Sequence, residues 1–537
     1  MIASTLQKRL FLILFVIAGS LSGYQVVDNG VVVELPDAGQ TIRLLQVQVI
    51  DEEIIRVVAA PKTGFSARAS LIVEKTSWPP TAHQISQQGE IIELSTAALK
   101  VKISEKTGQI GFYDAHGRPI LLEEKNGGKT MMPAVVMDEP TFHIEQRFSS
   151  PLGEAFYGLG QHQYDWMNYR GKDLDLYQIN IIAAVPFLVS NRHYGILWDN
   201  NSRSKFGDPA DFLPLSSLKL YDEQQTPGGL RVDYFQDSEL KTLLLTQKES
   251  VIAHDNLEVW DNYPSGFDKN RGSIRWSGFI ECERSGYYNF RFYSSHYAKF
   301  WFDDELKVDS WRVNWMPWAR IVRVKLQAGR RYPIKIEWTP NGGYLGLTAK
   351  RPEKESYQNS LSLYSEVADQ IDYYFIHGST LDQVIAGYRN LTGQAPMMPK
   401  WAMGLWQCRQ RYQSQEELIN VVKEFRQRDI PLDNIVQDWF YWPEDKWGDH
   451  DFDAQRFPDP AGMVEQLHHE LNTHIMISVW PKFYVGTHNY AAFQEQGWLY
   501  PRNVEKQERD WVGRGYVSTF YDPYSEGARD LFWRQIN

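Results

Sequence analysis

Cysteine is almost missing from this chain. Two residues in 537, Cys282 and Cys408, lie far apart in segments that read as different domains. That excludes a disulfide framework and leaves no ground for a lone bridge. No CxxC or HExxH motif and no cluster of Cys and His occurs, so neither a metal nor a cofactor is expected. Basic blocks are also lacking. The formal net charge is −11, which argues against nucleic acid and anionic membranes as partners. Long apolar runs are missing too. The run from Leu10 to Ala18 is too short to span a bilayer. Lys8 and Arg9 precede it, and the small residues Gly19, Ser20, Ser22 and Gly23 follow. This is the pattern of a secretory signal peptide over residues 1–23, with the mature chain starting near Tyr24. A secreted or periplasmic location is expected. No Cys stands where a lipoprotein would need one.

Aromatic residues, by contrast, are plentiful, with 19 Trp and 29 Tyr. They suit carbohydrate binding, and they equally suit a β-rich secreted protein. Residues 24–225 read as short strands such as Val31–Val33, Ile54–Val57, Ile91–Leu94 and Val101–Ile103. Turn signals such as Asp28–Asn29–Gly30 and Lys106–Thr107–Gly108 separate them. This is a β-sandwich pattern. A second strand-rich stretch covers residues 226–352, with strong alternation between Gly-marked turns: Arg275–Ile280, Ala298–Phe302, Tyr332–Trp338. The sandwich pattern then resumes over 353–392 through Ile371–Ile376, so the middle stretch reads as an all-β insertion. Trp311, Trp315 and Trp318 are read as lying in one loop of it. From about 393 the chain changes character. Ser414 and Glu417 form a capping box, and Leu418, Val421, Val422 and Phe425 give a helical apolar stripe.

The stretch 434–483 carries the chemistry. A short strand, Asn434–Gln437, ends in Asp438, and Trp439, Phe440, Tyr441, Trp442 and Trp447 follow closely. Asp459 is a good N-cap and Pro460 suits the first helical position. Met463, Val464, Leu467 and Leu471 recur at helical spacing. A second strand, Ile475–Val479, leads to Trp480–Pro481–Lys482–Phe483. Strand, helix, strand is the unit of a parallel sheet. Acidic and aromatic residues at the carboxyl ends of such strands are where an α/β barrel keeps its site. Aromatic faces pack on the apolar face of a pyranose, and a carboxylate takes hydrogen bonds from two vicinal hydroxyls. Plain core packing would account for the rings but not for the Asp among them.

Asp438-Trp-Phe-Tyr-Trp, Trp447 nine residues on, Phe457-Pro458-Asp459-Pro460 and Val479-Trp480-Pro481-Lys482-Phe483 together resemble glycoside hydrolase family 31. Pro399 to Trp406, Phe156 to Gln161 and Pro186 to Ser190 add to the resemblance. Nearly the whole chain takes part, and the α-xylosidase subgroup is the nearest in pattern. The resemblance implies a multidomain β plus α/β protein. It has a galactose-mutarotase-like β-sandwich (24–225, continuing 353–392), an inserted PA14 module (226–352), and the first part of a (β/α)8 TIM barrel (393–537). It implies a sandwich loop over the barrel mouth, here Asp165 to Gln178. Asp303–Asp304 is similar to the acidic pair with which some PA14 lectins hold calcium, although two adjacent acids in a turn are usually only a turn.

The implied activity is that of a retaining exo-α-xylosidase acting on xyloglucan-type oligosaccharides. The alternatives are an α-glucosidase or a non-catalytic sugar-binding protein. The substrate-binding residues implied are Asp438, Phe440, Trp447, Trp480, Trp406 and Lys482. Trp447 is expected to stand against C5 of xylose, excluding the hydroxymethyl group of glucose. A retaining enzyme needs two carboxyl groups about 5–5.5 Å apart. The family's nucleophile motif does not occur here, and the stretch after Gly393 is shorter than the roughly 250 residues of a full barrel. The catalytic pair is therefore expected beyond Asn537, with Asp438 binding hydroxyls rather than attacking.

Overall fold

The computed structural model describes residues 23–75, 77–162, 164, 166–178, 182–254, 263–314, 317–352, 360–510 and 515–537. The expected signal peptide lies almost wholly outside the described residues, as do Asp165 and Trp315. The chain forms two units, residues 1–395 and 396–537.

In the first unit two large antiparallel sheets face each other. One has eight strands, the other ten. Alternation explains the packing. Leu99–Ser104 buries every second residue, and Val101, Ile103, Phe112, Phe148 and Phe375 meet in the gap between the sheets. Strands distant in sequence complete both sheets. Ile371–His377 lies between Ile54–Pro61 and Tyr194–Trp198. Ser360–Ala368 lies between Glu139–Ser149 and Ser204–Phe206. The chain between Phe206 and Ser360 builds two further sheets, of five and seven strands, around a core of its own that includes Trp276, Phe290, Phe300, Ile336 and Trp338. No residue belongs to both cores. The inner sheets also recruit Leu213–Pro214 and Lys219–Tyr221, upstream of residue 226.

Trp311 and Trp318 do not share a loop. Trp311 lies in strand Glu305–Arg312 of the seven-stranded sheet and Trp318 opens Trp318–Leu326 of the five-stranded one. Strand pairing keeps both extended, with Trp311 opposite Tyr297 and Trp318 opposite Ser294. Asp303 and Asp304 make the tight turn between His296–Phe302 and Glu305–Arg312, both at positive φ, and Asp303 accepts a hydrogen bond from Arg330.

The second unit has a three-stranded parallel sheet: Trp406–Gln407, Asn434–Gln437 and His474–Ile477. Helix Gln415–Gln427 follows the first strand, with the Ser414 hydroxyl accepting from the Glu417 N–H at its start. Leu418, Ile419 and Val422 are its buried stripe. Helix Pro460–Glu465 follows the second strand, capped by Asp459, and widens into a π-turn over Gln466–Glu470. Arg426 closes the amino-terminal side of this sheet. Its guanidinium donates to the carbonyls of Leu432, Leu471 and Asn472 at 2.7–2.9 Å. Further along the chain is strand Ser518–Phe520. It pairs antiparallel with Lys482–Tyr484, outside the parallel sheet.

Candidate functional site

Asp438 follows directly on the central strand of the parallel sheet and is half-buried. One carboxylate oxygen accepts the Trp439 N–H at 2.8 Å. The other takes no protein hydrogen bond among the described residues. Cys408, on the neighbouring chain segment, has its thiol pushed up by partial burial and by the Asp438 charge. A carboxylate with one oxygen pinned and one open is set to accept from a ligand hydroxyl.

Two half-buried rings stand beside it, Trp439 and Phe440, edge to face with centroids 5.4 Å apart. Phe440 has φ 71°, a left-handed conformation that a bulky residue rarely adopts and that costs about 1–3 kcal/mol. Two arginines hold it there. Arg411 lies 4.3 Å above the ring. Arg456 donates to the Phe440 carbonyl at 2.8 Å and to the Trp442 carbonyl at 2.6 Å. The loop is thus clamped so that Phe440 turns back beside Asp438.

Trp447, implied by the resemblance to stand against C5 of the sugar, has a side chain that is 1 % exposed. It sits among Trp439, Trp442, Trp480 and Tyr484, with centroids 5.0–5.8 Å away. The physical reason is the loop from Trp439 to Trp447, which folds its indoles onto one another rather than outward. The Trp447 Nε1–H is buried without an acceptor among the described residues. Trp480 is half-buried, edge-on to Trp447 at 5.2 Å, and its Nε1 donates to the Ser478 hydroxyl.

The Lys482 ammonium is engaged within the protein. It donates to Asp510 at 2.8 Å and lies 4.0 Å over the Trp447 ring. Burial lowers its pKa, with Asp510 opposing. The lysine supports the indole from behind.

Trp406 lies apart from these residues. Parallel register pairs it with Asn434, at the amino end of the central strand, whereas Asp438 leaves the carboxyl end. Trp406 stacks on Trp401, which stacks on His474, all at that far end. The structure therefore gathers Asp438, Phe440, Trp447, Trp480 and Lys482, and separates Trp406. Arg411, Arg456 and Asp510 escaped the sequence reading. Isolated charges in loops carry no periodic signal. Only the proximity of Arg456 to Phe457–Pro458 hinted at a role.

Residues 395–537 match the glycosyl hydrolases family 31 TIM-barrel domain. Residues 44–206 match the family 31 N-terminal galactose mutarotase-like domain, and 226–362 match PA14. Among solved structures, the fold is similar to a family 31 α-xylosidase from Xanthomonas citri at 43% identity and TM-score 0.88. That match covers 96% of this chain and 56% of the other. An α-xylosidase of Saccharolobus solfataricus is 25% identical over 507 residues, 92% of this chain and 45% of its own length. An uncharacterized family 31 glucosidase of Pseudescherichia vulneris is 30% identical over 515 residues, 90% of this chain and 68% of its own. The chain thus spans about half the length of the first two. A mutarotase-like sandwich, an inserted PA14 module and a barrel sheet with Asp438 at a strand end leave one assignment: the chain belongs to glycosyl hydrolase family 31.

Proposed function

We propose that the protein is a secreted or periplasmic retaining exo-α-xylosidase that releases α-linked xylose from xyloglucan-type oligosaccharides. The observation that carries this reading is the 43% identity, over 96% of the chain, to the Xanthomonas citri α-xylosidase. The site agrees with it. Asp438 offers an open carboxylate oxygen to vicinal hydroxyls, and Phe440 and Trp480 supply apolar ring edges. Xylose differs from glucose only in lacking the exocyclic hydroxymethyl group. The indoles behind the site are packed against one another and against Lys482, so they cannot yield to that extra volume. Rigid exclusion of this kind exceeds the ~1–3 kcal/mol that one methylene is worth in a soft pocket. In this reading Asp438 binds hydroxyls that both sugars share.

A second reading, an α-glucosidase, is favoured by the Pseudescherichia relative. Hydrolysis of nitrophenyl α-xyloside against nitrophenyl α-glucoside decides between them. A kcat/KM higher on the xyloside by tenfold or more supports the proposal. The reverse order overturns it in favour of the glucosidase.

A further inference from the structure

A cavity of about 760 Å3 lies within the first unit, between the sandwich and the inserted module. Its width is fixed by Lys350, which belongs to the module strand Leu345–Lys350 and is 2% exposed. Its ammonium bonds to Asp173 at 2.9 Å and to the Asp208 carbonyl, both on the sandwich side. Next to it, Leu213–Pro214 pairs with Ala349 and Thr348. That buried ion pair ties the module strand to the sandwich side of the cavity, and breaking it is strongly unfavourable. The volume falls within the ~300–1,000 Å3 of small-molecule sites.

The wall charges cancel. Four carboxylates line the cavity, Asp173, Asp175, Asp208 and Asp211, and so do four cations, Arg203, Lys205, Arg291 and Lys350. Arg203 holds Asp175 at 3.1 Å and Lys205 holds Asp211 at 2.8 Å. Lys350 serves both Asp173 and Asp208. Arg291 is left over. It rests on Phe212 at 4.8 Å with no carboxylate partner among the described residues. A strongly charged ligand would disturb these pairs. A neutral ligand rich in hydroxyls would find donors and acceptors of both kinds.

Between the charges stand tyrosine rings, two of them with one face against a neighbouring side chain. Tyr164 stacks on Trp166 at 4.4 Å, and Tyr177 lies under the Arg203 guanidinium at 5.3 Å. Tyr177 and Tyr293 remain 37% and 40% exposed. Rings fixed on one side and open on the other accept the C–H face of a sugar, while paired ions accept and donate to its rim.

We propose that this cavity is a second glycan site, selective for neutral oligosaccharides and built from no residue of the second unit. It does not rest on the xylosidase reading. The test is calorimetric titration of the whole chain with a xyloglucan heptasaccharide, cellotetraose and, as the anionic counterpart, tetragalacturonate. Asp438→Ala should leave binding of a neutral oligosaccharide in place. Tyr177→Ala and Arg291→Met should each weaken it tenfold or more. Gly346→Phe should abolish it by filling the space, since a Cβ there meets only the Ile252 carbonyl, at 3.9 Å. Unchanged melting temperatures show that each variant folds. The proposal is overturned if the three first-unit variants bind as the parent does, if Asp438→Ala alone removes all binding, or if tetragalacturonate binds more tightly than the neutral probes. In the second of these cases the barrel reading survives and only the cavity fails.

Discussion

Lys482 donates to Asp510 at 2.8 Å with the two side chains 8% and 4% exposed. Burial pushes Asp510 up, but its hydrogen bonds, that from Lys482 foremost, pull it below the usual carboxylate range. Lys482→Met would remove the cation that faces the buried Asp510 charge, which keeps its hydrogen bond from the Tyr516 N–H, at about 3–5 kcal/mol. The double variant Lys482→Met/Asp510→Asn should regain more than half of that. Urea unfolding of the three proteins measures it. A single-variant loss under 1 kcal/mol would mean that the pair does not hold the indole layer.

Trp447 and Trp480 should separate packing from recognition. Trp447→Ala empties a fully buried site and should cost about 3–5 kcal/mol of stability. Trp480→Ala removes a half-buried ring, so its stability loss should be much smaller while methyl α-xyloside binding weakens. Trp447→Phe keeps most of the packing and opens space behind the pocket. It should raise the glucoside/xyloside ratio of kcat/KM. An unchanged ratio would move the exclusion of glucose to another residue.

Arg456 is expected to set the pose of Phe440. Arg456→Met loses two charge-assisted bonds to carbonyls, worth about 1.5–3 kcal/mol each net of solvent. A compact ammonium cannot reach both carbonyls in the same fork, so Arg456→Lys should restore less than half. Sugar affinity should fall in step with both. Full rescue by lysine would show that charge alone matters.

His450 gives the second unit an acid-sensitive element. Burial lowers its pKa from 6.5 to about 4, against the Asp449 charge, and it lies between Phe483 and Phe532. The folded state therefore refuses a proton that the unfolded state takes below pH 6.5. Stability should be full above that value and fall by up to a few kcal/mol as the pH drops towards 4. His450→Asn tolerates the positive φ here and should flatten this part of the profile. Denaturation midpoints at pH 7.5, 5.5 and 4.5 give the comparison, and equal slopes for the two proteins would refute it.

The sequence by itself determined the order of the layers. Period-two alternation marked the strands of both β modules, because each strand has one dry and one wet face. Caps at Ser414 and Asp459 marked helix starts, because they satisfy N–H groups that the helix leaves open. Asp438 at a strand end beside Trp439 and Phe440 was equally legible, since neighbours in sequence stay neighbours in space. What only the tertiary structure decided was which rings face outward and which groups are already engaged. Trp447 turned inward, Lys482 was taken by Asp510, and Trp406 went to the opposite end of the sheet. These outcomes depend on parallel register and on partners such as Asp510 and Arg456, which local pattern does not specify. The cavity between sandwich and module belongs to the same class. Its walls come from residues as far apart as Tyr164 and Lys350, and only the packing of two separately folded cores brings them face to face.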